Sequence, residues 1–326
     1  MNRSIKKVAV LGSGIMGAGI ACHFANIGVE VLLLDIIPKE PNELEKKKGL
    51  DATHLSVRNR IVTANLTTAV KSKPAPLYHP SFKKLIKTGN FDDDMSKLSE
   101  MDWIIEVVLE RLDIKKLIFE QVDQNRSPGT LVSSNTSGIP IKFMNEGRSK
   151  DFQEHFTVTH FFNPPRYLKL FEVVSGPNCK PEVIEFLMDY GTRFLGKSAV
   201  LAKDTPAFIG NRIGIFCIQS LFHQMKPMGL TVEEVDKLTG PVMGRPKSAT
   251  FRTVDVVGLD TLVHVANGLH ENCPDDERRD SFVLPDFIQT MIDEKWLGSK
   301  SGQGFYKKIK NKQGKSEIQV LNLDTM

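Results

Sequence analysis

The N-terminal stretch alternates short apolar runs with a small-residue helical pattern. Val8 to Leu11 is a continuous apolar run, Ile15 to Asn26 is helical and rich in small residues, and Val31 to Leu34 is again continuously apolar. Gly28 stands where a helix stop is expected, because glycine tolerates positive φ. The pattern predicts strand, tight turn, helix and strand. Strands without polar alternation are those buried on both faces of a parallel sheet.

Residues 36–100 differ. They read as a helical excursion interrupted by the proline-rich "KPAPLYHP", with a run of basic side chains between Lys46 and Lys87. Such a run is a solvated face or a basic lip for a phosphate-rich ligand. The sheet pattern then resumes. "DWIIEVV" is a strand, "DIKKLIFEQVDQ" a helix, "TLVSSNTS" a strand ending in small polar residues, and "FTVTHFFNP" and "LKLFEVV" two more strands. "PEVIEFLMDYGTRFLG" reads as a helix and "KSAVLAK" as a closing strand. Strands alternating with helices predict a Rossmann-type, doubly wound, mainly parallel α/β sheet over residues 1–201. From 202 to 307 only helical patterns remain, so a smaller all-helical domain is expected there. Residues 308–326 are polar, then weakly strand-like, and read as a tail or linker.

Composition sets limits. The 326 residues are 40% apolar and 25% charged, with a formal net charge of +4. That is ordinary globular composition with room for two domains, and no nucleic-acid signature. Val8 to Ala21 is the most apolar early run. It carries four glycines and is too short to span a bilayer, so no membrane span is expected. The four cysteines are widely spread, which predicts no metal site and a reducing, cytoplasmic location.

The first helix opens on "GSGIMG". Gly12 permits the tight turn, Gly14 lets backbone approach a pyrophosphate, and Gly17 lets helix pack on strand. The N–H groups of Ile15 and Met16 open the helix, where backbone donors and partial positive charge favour an anion. Asp35 ends the second strand, 23 residues after Gly12. A carboxylate there suits a ribose 2′-hydroxyl and repels a 2′-phosphate, so NAD is the expected cofactor rather than NADP.

With NAD in place, "HFFNPPRYLKLFEVV" gains a chemical reading. Alcohol oxidation needs a base to take the hydroxyl proton as hydride leaves carbon, and histidine has a suitable pKa. His160 is followed by Glu172 twelve residues later on a second short run. A turn at "NPPRY" could bring the two together. A carboxylate beside the imidazole fixes its tautomer and stabilises the imidazolium.

The motifs "GSGIMGAGIA", "SSNTSG", "HFFNP" with Glu172, "KDTPAFIGNR", "VGLDT" and "KSGQGFY", in this order, resemble the L-3-hydroxyacyl-CoA dehydrogenases of fatty-acid β-oxidation. The resemblance implies an acyl-CoA thioester substrate, His160 as base and Glu172 as its partner. It implies Ser137 near the substrate hydroxyl and nicotinamide, and Asn211 organising substrate and histidine. Asn163, Glu110, Lys115 and Lys300 match cofactor-side positions. A homodimer is implied, or packing against a further domain of a longer chain. The basic second-domain stretch "GRPKSATFRTVDVVGLDT" is more similar to large bacterial multifunctional β-oxidation proteins, so this chain is expected to be the N-terminal dehydrogenase portion of one. "KPAPLYHP" looks like an insertion against compact members. Arg166 and Tyr167 replace expected aliphatic residues, and Arg166 could meet a thioester tail, an acidic group or solvent. The alternatives are a dehydrogenase of a non-CoA hydroxy acid (gulonate-type) and a non-catalytic, crystallin-like NAD-binding protein.

Overall fold

The computed structural model describes residues 3–311 and 313–326. The chain divides into two compact units, the first ending at Phe208 and the second Ile209–Met326. The sequence pattern put the boundary at 201/202, where the strand signals stop. Residues up to Phe208 stay with the first unit because Phe208 is buried in its core.

The first unit is an eight-stranded sheet of order β3-β2-β1-β4-β5-β6-β7-β8. It runs β1 (Lys7–Leu11), α1 (Ile15–Asn26), β2 (Glu30–Asp35), then α2 (Glu43–Lys47), α3 (Leu55–Arg58) and α4 (Arg60–Val70) before β3 (Ile86–Asn90). After α5 (Phe91–Asp94) come β4 (Trp103–Glu106), α6 (Leu112–Asn125), β5 (Leu131–Ser134), α7 (Ile141–Asn145) and α8 (Lys150–His155). The sheet closes with β6 (Phe156–Phe161), β7 (Leu170–Ser175), α9 (Pro181–Arg193) and β8 (Ser198–Ala202). Successive β1 residues feed opposite cores: Val8 and Val10 pack in one, Ala9 and Leu11 in the other. That two-sided burial is why the strand reads as apolar without alternation.

Two strand relationships position the site. The chain leaves β1 outward to β2 and β3, then returns to pair β4 on the other side of β1. This is the topological switch point, where the C-terminal ends of the strands leave a crevice. Further along, β6 and β7 run antiparallel. Their connection, 162–169, has no crossover helix, and a parallel return needs one.

The excursion 36–100 is not wholly helical. "IKTGN" forms β3, paired parallel to β2 with Val31 opposite Ile86. Its sequence lacks a strand signature, and the ladder to β2 supplies the order.

The second unit contains α10 (Gly210–Met225), α11 (Val232–Thr239), α12 (Phe251–Val257), α13 (Leu259–Asn272) and α14 (Asp286–Asp293). A hairpin follows, β9 (Tyr306–Lys310) with β10 (Ser316–Val320). The stretch 308–326, read as a tail or linker, therefore holds most of that hairpin. Val320, Leu321 and Leu323 pack on the helical core, and Leu321 N donates to Phe305 O at 2.9 Å. Asp255 anchors the hairpin start by accepting from Phe305 N and Tyr306 N, both at 2.9 Å. No helix among the described residues is long and apolar enough to cross a membrane.

Candidate active site

The glycine turn behaves as its spacing requires. Gly12 has φ +105°, and a Cβ there would lie 2.6 Å from Val107 O. A Cβ on Gly17 would collide with Gly12 O, so only glycine lets α1 start against β1. Gly14 is different: a Cβ there meets nothing within 4 Å. The space above Gly14 is thus open, as a pyrophosphate cradle needs. Ile15 is exposed and Met16 half-buried at the start of α1, and no side chain caps the helix there.

Asp35 ends β2 beside this turn. Its Oδ2 accepts from Ser13 N at 2.7 Å and from the Ser13 hydroxyl, while Oδ1 accepts from Ile36 N at 2.7 Å. Asn65 Nδ2 reaches Ser13 Oγ at 2.9 Å. Ser13 is fully buried and orients the carboxylate. Its signal in the sequence is only its place between the first two glycines.

The end of β4 carries a residue that sequence reasoning passed over. Glu106 is fully buried, and both its oxygens bond Lys115 Nζ, at 2.8 and 2.9 Å. Glu106 also accepts from Val108 N at 2.7 Å and Ser134 Oγ at 2.5 Å. Burial pushes its carboxyl pKa up, against the pull of the Lys115 ammonium and these donors. An acidic residue inside the apolar "WIIEVV" was the available clue. Lys115, expected at the cofactor side, is itself 1% exposed, and its ammonium also sits 3.2 Å from Glu110 Oε2. Its link to the site runs through Glu110. Glu110 Oε1 accepts from Ser137 N at 3.0 Å and from the Thr136 hydroxyl, so it shapes the turn that presents Ser137 beyond β5.

His160 and Glu172 do meet. They lie directly opposite one another in the β6–β7 ladder, and opposite residues share a face. His160 Nδ1 is 2.7 Å from Glu172 Oε2, with the glutamate fully buried and the histidine 6% exposed. The carboxylate acceptor places the ring proton on Nδ1 and leaves a lone pair on Nε2. Phe162 and Phe208 pack on the ring at centroid distances of 4.4 and 5.8 Å. The missed residue here is Asn135, whose Oδ1 accepts from Phe161 N at 2.8 Å and ties the turn after β5 to the end of β6. Asn163 is exposed, two residues past β6.

The remaining candidates belong to the second unit. Asn211 lies half-buried in the first turn of α10, beside Arg212, which is paired with Asp276. Lys300 pairs with Asp260, which brings "KSGQGFY" against "VGLDT". A Cβ on Gly258 would lie 2.7 Å from Lys300 Nζ, so the glycine of one motif makes room for the lysine of the other.

These features can hold a dinucleotide at a glycine turn and move one proton at a carboxylate-backed imidazole. Comparisons with known proteins bear on the dinucleotide part. Residues 7–205 match the 3-hydroxyacyl-CoA dehydrogenase, NAD binding domain, and residues 208–308 match the 3-hydroxyacyl-CoA dehydrogenase, C-terminal domain. A probable 3-hydroxyacyl-CoA dehydrogenase of Bacillus subtilis is 51% identical over 94% of this chain, which spans 39% of that relative's length. The mitochondrial hydroxyacyl-coenzyme A dehydrogenase of Rattus norvegicus is 31% identical, covering 93% of this chain and 91% of its own. The structure of (S)-3-hydroxybutyryl-CoA dehydrogenase from Ralstonia eutropha superposes with a TM-score of 0.71 at 26% identity, over 92% of this chain and 98% of that one. With an NAD binding domain and a C-terminal domain that together match nearly its whole length, the chain belongs to the 3-hydroxyacyl-CoA dehydrogenase family.

Proposed function

We propose that the protein oxidises (S)-3-hydroxyacyl-CoA to 3-ketoacyl-CoA, reversibly, within fatty-acid β-oxidation. The observation that carries this reading is the buried His160–Glu172 pair on the sheet whose first turn is the glycine cradle. NAD⁺ supplies the hydride acceptor. The residues that would hold it are Gly12, Gly14, Ile15, Met16 and Gly17 at the pyrophosphate, Asp35 at the ribose, and Glu110, Ser137, Asn163 and Lys300 further along, with Lys115 acting through Glu110.

His160 Nε2 takes the C3 hydroxyl proton, and Glu172 holds the ring tautomer and stabilises the imidazolium that forms. Ser137 and Asn211 position the substrate oxygen. In the reverse direction the imidazolium returns its proton to the same oxygen. The chain works as a homodimer or packed against a further domain of a longer protein, in the cytoplasm.

The test follows NADH absorbance with acetoacetyl-CoA at neutral pH, comparing the native chain with His160→Ala. Turnover by the native chain and a loss of about 10²–10⁴-fold in the variant are expected, as for removal of a general base. NADH binding without turnover of this substrate or longer acyl chains would overturn the reading.

A further inference from the structure

The loop that joins β6 to β7, residues 162–169, lies between His160 and Glu172 and carries Asn163. It is gripped from two sides. On its inner side Pro165 packs against α1, where a Cβ on Gly19 would lie 3.0 Å from the proline ring. The buried Lys197 donates to Pro165 O and, at 2.7 Å, to Leu168 O. On its outer side Arg166 Nη1 donates to Ala75 O at 2.6 Å and Leu77 O at 2.9 Å, and Tyr167 Oη donates to Ala75 O at 2.9 Å. The guanidinium lies over the Tyr78 ring at 4.3 Å. The proline-rich segment is itself pinned to α1, because Asn26 donates to Pro76 O and accepts from Tyr78 N, each at 2.8 Å.

The two departures noted in the sequence, the proline-rich segment and Arg166–Tyr167, are therefore one structure. Ala75 and Leu77 present carbonyls in a stretch outside helix and strand, and Arg166 satisfies both while stacking on a ring. A lysine could donate to carbonyls, as Lys197 does, but it lacks the planar face that lies over Tyr78. The same segment bonds the end of α1, the helix whose start is the glycine cradle.

We propose that Arg166 is a positioning residue. With residues 75–78 it forms a clasp that holds the β6–β7 loop, and so His160 and Asn163, in fixed register with the cofactor-binding helix. This rests on the proposed dehydrogenase reading for its catalytic meaning. The clasp is partly exposed, so its bonds add little to global stability. Its effect falls on geometry, where a displacement of about 1 Å can cost about 10²-fold in rate.

The experiment compares Arg166→Ala, Arg166→Lys, Tyr78→Ala and the Arg166→Ala/Tyr78→Ala double variant in the full chain. Rates of acetoacetyl-CoA reduction are normalised to NADH-binding sites. Arg166→Ala is expected to lower kcat about 10-fold while NADH affinity stays within about twofold, the split that separates positioning from binding. Arg166→Lys should not restore it, and the double variant should be no worse than the single, because both cut one clasp. Unchanged normalised kcat, or losses that multiply, would overturn the proposal. A second readout needs no turnover: the His160 Nδ1 proton signal, identified by its absence in His160→Gln, should broaden in Arg166→Ala. If the native chain binds NADH but reduces no acyl-CoA, the dehydrogenase reading fails, and an unchanged His160 signal in Arg166→Ala separately sinks the clasp.

Discussion

His160 Nδ1 stands 2.7 Å from Glu172 Oε2, across two strands that a loop of eight residues forces to run antiparallel. The loop direction creates the pairing, since residues summing to a constant fall opposite one another. A neutral partner at 172 would keep the contact and lose the charge that favours the imidazolium. Glu172→Gln should lower kcat about 10²-fold or more, as seen when a base loses its orienting carboxylate. Steady-state NADH oxidation measures it. An unchanged kcat would mean that the proton does not pass through His160.

The Glu106–Lys115 pair is buried on both sides, at 0% and 1% side-chain exposure. Removing one partner of such a pair leaves a charge without adequate compensation, at a cost of about 3–5 kcal/mol. Glu106→Gln should fall at the lower end because Glu110 stays near the ammonium. Urea unfolding of native and variant chains gives the difference. A change below about 1 kcal/mol, the scale of an exposed pair, would contradict the buried network.

Gly14 and Gly17 are three residues apart and should respond oppositely. Gly17→Ala meets backbone that cannot move aside, so the fold should lose stability. Gly14→Ala meets nothing, so the melting temperature should hold while NADH binding weakens. Thermal melts with fluorescence titration of NADH separate the two outcomes. Equal NADH affinity in Gly14→Ala would place the pyrophosphate elsewhere.

His23 predicts an acid limb. It is 2% exposed, its Nε2 lies 3.0 Å from Leu195 O, and burial lowers its pKa to about 4 from an ordinary 6.5. Between those values the unfolded chain binds a proton that the folded chain refuses. Stability therefore falls as pH drops from 6.5 toward 4, by up to ~3 kcal/mol from this residue. Urea unfolding at stepped pH should show a shallower fall in His23→Gln. Parallel curves would assign the acid limb to other groups.

The sequence by itself determined the elements whose cause is local. The β1-α1-β2 unit follows from apolar period and glycine chemistry, and Gly12, Gly17 and Asp35 stand where their spacing put them. The apolar runs on either side of "NPPRY" predicted two strands, and they allowed His160 and Glu172 to meet. Tertiary structure decided what depends on partners distant in the chain. "IKTGN" becomes β3 only because β2 offers a ladder. Glu106 drew no reading and Lys115 only a cofactor-side match, and their pairing exists because a strand and a helix bury them together. Ser13 gains its role from Asp35, and Arg166 from carbonyls some 90 positions earlier. The hairpin over 306–320 is held by Asp255 and by apolar contacts to a core that no local window contains. A periodicity reports which face is buried, but only the assembled fold says against what.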